Sequence, residues 1–275
     1  MRIGLVGFGR TGKAVANVIF QSKDFTLEWV LRRTVHLENC SVSDYLGCEY
    51  EHDANIYSIA NTSIKDLLNS RPVDYIIDFS SKDGIRMYGE AAAERKIKII
   101  SAISHYNRLT LSFLKSLSKK TAIFWSPNIT LGVNFLIFAG EFLKTIAPTA
   151  DVAIVEEHFK LKKGASGTAL KIANKLNVDN CGIRSVRVGG IVGKHEVIFG
   201  FPYQTVRIIH ESISQEAFGN GAIFVAEHLK DKTKGFYQFE DIFNGYGYGK
   251  CGISRHLPFR LAISLFCVIT FILVP

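Results

Sequence analysis

Residues 2–20 read RIGLVGFGRTGKAVANVIF, and this stretch decides the fold. The apolar run Ile3–Val6 predicts a buried strand. Gly7-Phe8-Gly9-Arg10-Thr11-Gly12 predicts a tight turn, and Val15, Ala16, Val18, Ile19 and Phe20 then follow a helical spacing. A strand, a Gly-x-Gly-x-x-Gly turn and a helix in that order form the entry to a dinucleotide-binding domain. The glycines let the backbone approach a pyrophosphate, which the first N–H groups of the helix then face. Such a motif gains its weight from its flanking elements; an ordinary glycine turn is the competing reading.

Residues 26–31, 73–79 and 97–101 read as further buried strands, with a helical stretch at 84–95. Strands alternating with helices predict an α/β chain whose N-terminal domain, 1–128, is a Rossmann-type doubly wound parallel sheet. After residue 128 the strand patterns at 152–156, 184–192, 195–201 and 203–210 include close neighbours that leave no room for crossover helices. They predict a smaller α+β domain with a mixed sheet over 129–215. Helices fit 132–145, 167–176 and 216–230, with 216–245 returning to the first domain. The tail 246–275 holds the apolar run LAISLFCVITFILV at 261–274. As a helix its fourteen residues reach ~21 Å, short of a ~30 Å hydrocarbon core. A membrane anchor, an appendage from an altered reading of the gene, and a segment packed on a partner subunit stay open.

A chain of 275 residues with 47% hydrophobic and 21% charged residues has globular composition, which excludes disorder. The net charge is +8, but Lys250, Arg255 and Arg260 lie in the acid-free tail. The remaining excess is modest and forms no basic stripe with interleaved aromatics, so no nucleic-acid partner is expected. It does suit small anionic ligands. Cys40, Cys48, Cys181, Cys251 and Cys267 contain no CxxC pair. They predict reduced thiols, no metal site and a cytoplasmic location, and no signal peptide begins the chain.

Two further features carry chemistry. Twenty residues after Gly12, where an NAD site usually carries an acid for the ribose hydroxyls, stand Arg32 and Arg33. A guanidinium pairs with a 2′-phosphate, so NADPH is expected to be preferred over NADH; two solvated arginines are the alternative. Residues 155–170 read VEEHFKLKKGASGTAL. A strand is expected to end at Glu156, followed by His158, a proton donor with an ordinary pKa near neutrality. Lys160, Lys162 and Lys163 come next, and Ser166 N-caps a helix whose free N–H groups offer a carboxylate site. A surface histidine in a lysine-rich loop is the alternative. His195 and His210 sit inside strand patterns and read as structural, bonding across the sheet.

The 156–169 segment resembles the E-x-H-H-x-x-K-x-D-A-P-S-G-T-A segment of the 4-hydroxy-tetrahydrodipicolinate reductase (dihydrodipicolinate reductase) family. Asp78-Phe79-Ser80 resembles its D-F-T, and 126–134 (SPNITLGVN) its P-N-F-S-x-G-V-N. Residues 187–199 (RVGGIVGKHEVIF) and 210–222 (HESISQEAFGNGA) follow two more of its patterns in order. The resemblance implies a nicotinamide-dependent reductase of lysine and diaminopimelate biosynthesis, acting on a small cyclic dicarboxylate as a homotetramer. It implies His158 as proton donor with Lys162 as cationic partner, and Ser166, Gly167, Thr168 and Phe159 as the substrate site. The same resemblance puts the dinucleotide on Gly7, Phe8, Gly9, Arg10, Thr11, Gly12, Arg32, Arg33, Phe79, Ser101, Ala102, Ile103, Ser126, Pro127, Asn128 and Ile129. The chain departs from the family at Phe159, where a second histidine is usual, at Gln215, where an arginine is usual, and at Ser101–Ser104 in place of G-T-T-G. Gly164-Ala165 is one residue shorter than D-A-P, which leaves Lys160 or Lys163 open in place of Lys162. A reductase of another small carboxylate and a non-catalytic NADPH-binding regulator are the alternative functions.

Overall fold

A computed structural model describes residues 1–50, 53–104 and 106–245, so the apolar tail lies outside the described residues. The described residues form two compact units, Met1–Thr130 with Gln215–Ile242, and Leu131–Ser214 with 243–245.

The first unit is built on a seven-stranded sheet. Its strands are β1 (Arg2–Val6), β2 (Thr26–Arg32), β3 (Asn55–Ser58), β4 (Tyr75–Asp78), β5 (Lys98–Ser101), β6 (Ala122–Trp125) and β11 (Gly235–Tyr237). The order is β11-β6-β5-β4-β1-β2-β3, with every neighbouring pair parallel. The order in which strands are laid down reverses between β1 and β4, and such a switch point opens a crevice at the carboxyl ends of the strands. Fully buried Ile3, Leu5, Tyr75, Ile76, Ile99 and Ile123 give the apolar strands that a sheet covered on both faces requires. The covering helices include α1 (Arg10–Phe20), α2 (Val42–Leu46), α3 (Ile64–Ser70), α4 (Ile85–Glu94), α5 (Arg108–Leu117) and α8 (Glu216–His228). The helix α8 lies on α1: a Cβ at Gly219 would come within 2.8 Å of Val18.

The second unit is a mixed four-stranded sheet, ordered β10 (Gln204–Ser212), β9 (Gly193–Phe201), β7 (Asp151–His158) and β8 (Ile183–Arg187). The β7–β8 pair is parallel and the other two are antiparallel. Helix α6 (Leu131–Ile146) and α7 (Gly167–Leu176) form a shared apolar core with one sheet face, including Leu136, Ile154, Ile172, Val197 and Phe199. Two expectations need correction. The strand expected over 184–192 ends at Arg187, because Gly189 takes φ +53° and turns the chain. The strand expected to end at Glu156 runs on to His158, which sets both residues on the covered face with Ile154.

Candidate active site

In the first unit, the three glycines of the turn after β1 stand in different surroundings. Gly7 has φ +99°, and a Cβ there would sit 2.7 Å from the Phe79 backbone. At Gly12 a Cβ would lie 2.1 Å from the Gly7 carbonyl oxygen, so helix and strand meet too closely for any side chain. Gly9 is different, since a Cβ there would meet nothing within 4 Å. Gly9 is also the N-cap of α1, with no side-chain cap and no acid in the first turn. The first N–H groups of α1 therefore open onto unfilled space beside a positive helix end.

The carboxyl ends of β4, β5 and β6 complete this crevice. A cavity of about 390 Å³ is lined by Thr11, Phe79–Lys82, Ala102–Ser104, Pro127–Ile129 and Phe218. Its walls are held by buried polar anchors. Asp78 accepts hydrogen bonds from Ser80 N (2.8 Å), Ser80 Oγ (2.6 Å) and Tyr88 Oη (2.7 Å), which fixes the chain that carries Phe79. Burial raises the pKa of the Asp78 carboxyl against the pull of Ser80 and Tyr88. Ser126 Oγ donates to Asn128 O, and a Cβ at Gly221 would be 1.9 Å from Ile129 O, so α8 presses on the 126–130 loop.

The expected dinucleotide residues divide by what their side chains touch. Thr11, Phe79, Ala102, Ile103, Pro127, Asn128 and Ile129 line the cavity, and Thr11 Oγ1 donates to Gln215 Oε1 (3.0 Å). Arg10 is exposed at the start of α1, Arg32 ends β2 half-buried, and Arg33 is exposed. No ion pair holds Arg32 or Arg33 among the described residues. Three side chains turn away. Phe8 is buried with its ring 5.7 Å from that of Tyr45, Ser101 Oγ bonds Tyr106 Oη (2.8 Å), and Ser126 is engaged as above. These three could meet a ligand only through their backbone. The uncapped helix end and the unfilled space at Gly9 together fit the pyrophosphate of a nicotinamide dinucleotide.

In the second unit, His158 and Glu156 project from the covered face of β7. Their exposures are 7% and 0%, so neither faces bulk water. His158 Nδ1 lies 2.5 Å from Glu156 Oε2, and Arg187 Nη2 contacts Glu156 Oε1. Burial raises the Glu156 pKa, but Arg187, Ser185 and His158 outweigh it and leave the carboxyl below its ordinary value. Burial lowers the His158 pKa, and Glu156 only partly opposes this. His195, opposite Glu156 on β9, packs edge-on to His158 at 5.2 Å. Its Nε2 bonds Ser166 Oγ (3.1 Å) rather than a group across the sheet.

Ser166 caps α7 by accepting from Ala169 N (3.0 Å) and is buried, whereas Gly167 is exposed and Thr168 half-buried. Phe159 is 42% exposed, and Lys162 Nζ lies 6.0 Å from its ring centre. Lys160 and Lys163 are both exposed. Glu156, His158 and His195 each bring one donor atom within 4.8 Å of the others, a spacing open to a metal ion. Arg187 supplies the countercharge to the Glu156 carboxylate through Oε1. Sequence reasoning missed Glu156 and Arg187; an acid two residues from a histidine on an inward strand face was the available signal.

Residues 1–129 match the family described as dihydrodipicolinate reductase, N-terminus, and residues 130–243 match dihydrodipicolinate reductase, C-terminus. The chain belongs to the dihydrodipicolinate reductase family. It is an oxidoreductase of the nicotinamide-dependent kind. The 4-hydroxy-tetrahydrodipicolinate reductase of Caldanaerobacter subterraneus subsp. tengcongensis is 35% identical over 191 residues, covering 62% of this chain and 76% of that one. The 4-hydroxy-tetrahydrodipicolinate reductase of a Wolbachia from Brugia malayi is 29% identical over 272 residues, covering 88% and 99%. Among solved structures, the dipicolinate-bound dihydrodipicolinate reductase from Paenisporosarcina sp. TG-14 superposes with a TM-score of 0.74 at 17% identity, covering 88% and 99%. That likeness bears on the fold alone. No helix among the described residues is long and apolar enough to cross a membrane.

Proposed function

We propose that the first unit holds NADPH in preference to NADH, and that the second unit holds the dicarboxylate and protonates it from His158. The chain reduces 4-hydroxy-tetrahydrodipicolinate to tetrahydrodipicolinate in lysine and diaminopimelate biosynthesis. The observation that carries this reading is the family match over both halves of the chain, with His158 and the Ser166-Gly167-Thr168 cap in place.

Arg32 and Arg33 pair with the 2′-phosphate, and the Gly7–Gly12 turn with the first N–H groups of α1 receives the pyrophosphate. Phe79, Ala102, Ile103 and Pro127–Ile129 wall the nicotinamide end of the cavity. When bound, the nicotinamide supplies the hydride. The net change adds that hydride and one proton to the substrate, and the hydroxyl leaves as water. His158 gives up the proton, Lys162 supplies positive charge beside a carboxylate, and the N–H groups at Gly167 and Thr168 bind the other. Phe159 offers a flat apolar wall where relatives place a polar one.

The same reading makes the enzyme a cytoplasmic homotetramer. Cys40, Cys48 and Cys181 are free thiols, as a reducing compartment requires. The face of the second sheet away from α6 and α7 exposes Val186 and Ile209 among the ion pairs Glu157–Lys194 and Glu196–Arg207, a surface suited to a second copy. Purified chain supplied with NADPH and enzymatically generated 4-hydroxy-tetrahydrodipicolinate should oxidise the cofactor. Lys162→Ala should weaken turnover and substrate binding more than Lys160→Ala or Lys163→Ala. Binding of NADPH without any turnover would instead favour a regulator.

A further inference from the structure

The covered face of the second sheet changes character along its length. Phe199, Val197 and Ile154 pack against helices, and the next positions on the same face are Glu156, His158, His195 and His210, all buried. Buried polar groups of this kind are costly unless each has a partner. Arg187 provides the organising contacts. Its Nη2 donates to Glu156 Oε1 and to Gly164 O (2.5 Å), its Nε to Lys162 O (3.0 Å), and its Nη1 to Val186 O (2.7 Å). One side chain therefore ties the carboxylate next to His158 to the loop that carries Lys162. The register explains the meeting: Arg187 stands opposite His158 on β8, two residues beyond the Glu156–Ser185 pair.

The two nitrogens of His158 see different surroundings. Nδ1 faces Glu156 Oε2 at 2.5 Å. Nε2 lies toward Gly193, where a Cβ would come within 3.1 Å of it. A side chain at 193 would crowd that nitrogen, and the glycine leaves room beside it. The charged or titratable groups around the ring are Glu156 on its own strand, Arg187 on β8, His195 on β9 with His210 facing it from β10, and Lys162 in the following loop. Helix α7 adds the uncharged Ser166, which is bonded to His195.

We propose that Glu156, clamped by Arg187, is the positioning residue for His158: it keeps the proton of the neutral ring on Nδ1 and so assigns Nε2, open at Gly193, as the nitrogen that exchanges protons with substrate. This rests on the reading of His158 as proton donor. In the neutral ring Nδ1–H donates to the carboxylate. When Nε2 gains its proton, the same carboxylate faces an imidazolium and favours it, offsetting Arg187 and Lys162. After the Nε2 proton passes to substrate, the Nδ1–H contact is already in place for the next cycle. Arg187 holds Glu156 ionised and fixes the 162–164 backbone, so the acid and its neighbouring lysine move as one assembly.

Long-range proton–nitrogen NMR on the uniformly ¹⁵N-labelled full chain tests this, with the His158 ring assigned by its loss in His158→Gln. The neutral ring should be the Nδ1–H tautomer; an Nε2–H tautomer overturns the proposal. In Glu156→Gln, kcat should fall roughly tenfold or more with KM little changed, the usual scale on which positioned proton donors matter. The limb on which kcat is lost with rising pH should move acidward by about one unit or more, since an upward pull on the imidazole is gone. Glu156→Asp should recover part of both effects. A folded Glu156→Gln with the wild-type pH profile overturns the proposal. If that variant does not fold, the wild-type tautomer still decides. The tautomer is read without turnover, so Nδ1–H in a wild type that lacks reductase activity supports the positioning pair and removes the reductase reading.

Discussion

Tyr88 Oη donates a 2.7 Å hydrogen bond to Asp78 Oδ2, and neither residue is reached by solvent. The bond fixes the carboxyl at the end of β4 whose other oxygen holds Ser80, and with it the backbone of Phe79 at the cavity wall. Tyr88→Phe strips a donor from a wholly buried carboxyl and should cost ~1–3 kcal/mol of stability. Urea unfolding measures this, and an unchanged midpoint would contradict the role given to the pair.

The glycine turn allows a sharper test, because its glycines do different things. Gly12→Ala places a methyl 2.1 Å from a backbone oxygen and should destabilise the fold itself. Gly9→Ala meets no neighbour and should fold normally, yet lose NADPH affinity by intruding on the space a pyrophosphate needs. Thermal unfolding together with cofactor titration separates the two. Equal affinity in wild type and Gly9→Ala would place the phosphates elsewhere.

Cofactor choice rests on Arg32 and Arg33. Charged hydrogen bonds contribute ~1.5–3 kcal/mol, so the double alanine variant should weaken NADPH binding by at least tenfold and leave NADH nearly unaffected. Calorimetric titration of both dinucleotides reads this directly. Equal wild-type affinities would mean that the arginines are merely solvated.

How far the sequence could be read depended on the physical origin of each feature. Local periodicity and glycine spacing were sufficient for β1, α1 and the alternation that builds the first sheet, since those signals lie within a few residues of one another. The short elements α2, β3, α3, β6 and β11 were not foreseen, since pieces of three to seven residues carry little pattern of their own; α5 was passed over although its ten residues are amphipathic. The Ser166 cap of α7 was legible from its spacing, whereas His158 stood level with a surface histidine until the family resemblance singled it out. Arg187 was not, because its partners Glu156, Lys162 and Gly164 are brought to it by parallel pairing of β7 with β8. His195 read as a structural histidine, but its bond to Ser166 Oγ ties it to the α7 cap.

Acid should loosen the second unit through its buried histidines. Burial lowers His195 from an ordinary 6.5 to about 3 and His210 to about 4. The unfolded chain therefore binds these protons first. The stability that neutral histidines contribute is complete above pH 6.5 and is lost as pH falls toward 4. Between about pH 6.5 and 5 most unfolded-chain carboxyls stay ionised, so the slope there belongs mainly to histidine. Unfolding free energy measured across that range should decline in wild type and decline less in His210→Gln; parallel slopes would contradict it.

In the proposed reaction His158 supplies the proton accompanying hydride addition. The measurement that bears on it most directly is kcat for NADPH oxidation with 4-hydroxy-tetrahydrodipicolinate, compared between wild type and His158→Gln. A positioned acid contributes ~10²–10⁴-fold, so kcat should fall by that factor. NADPH affinity should barely change, because the dinucleotide site is assigned to the other unit. A His158→Gln enzyme that keeps the wild-type kcat would contradict the account.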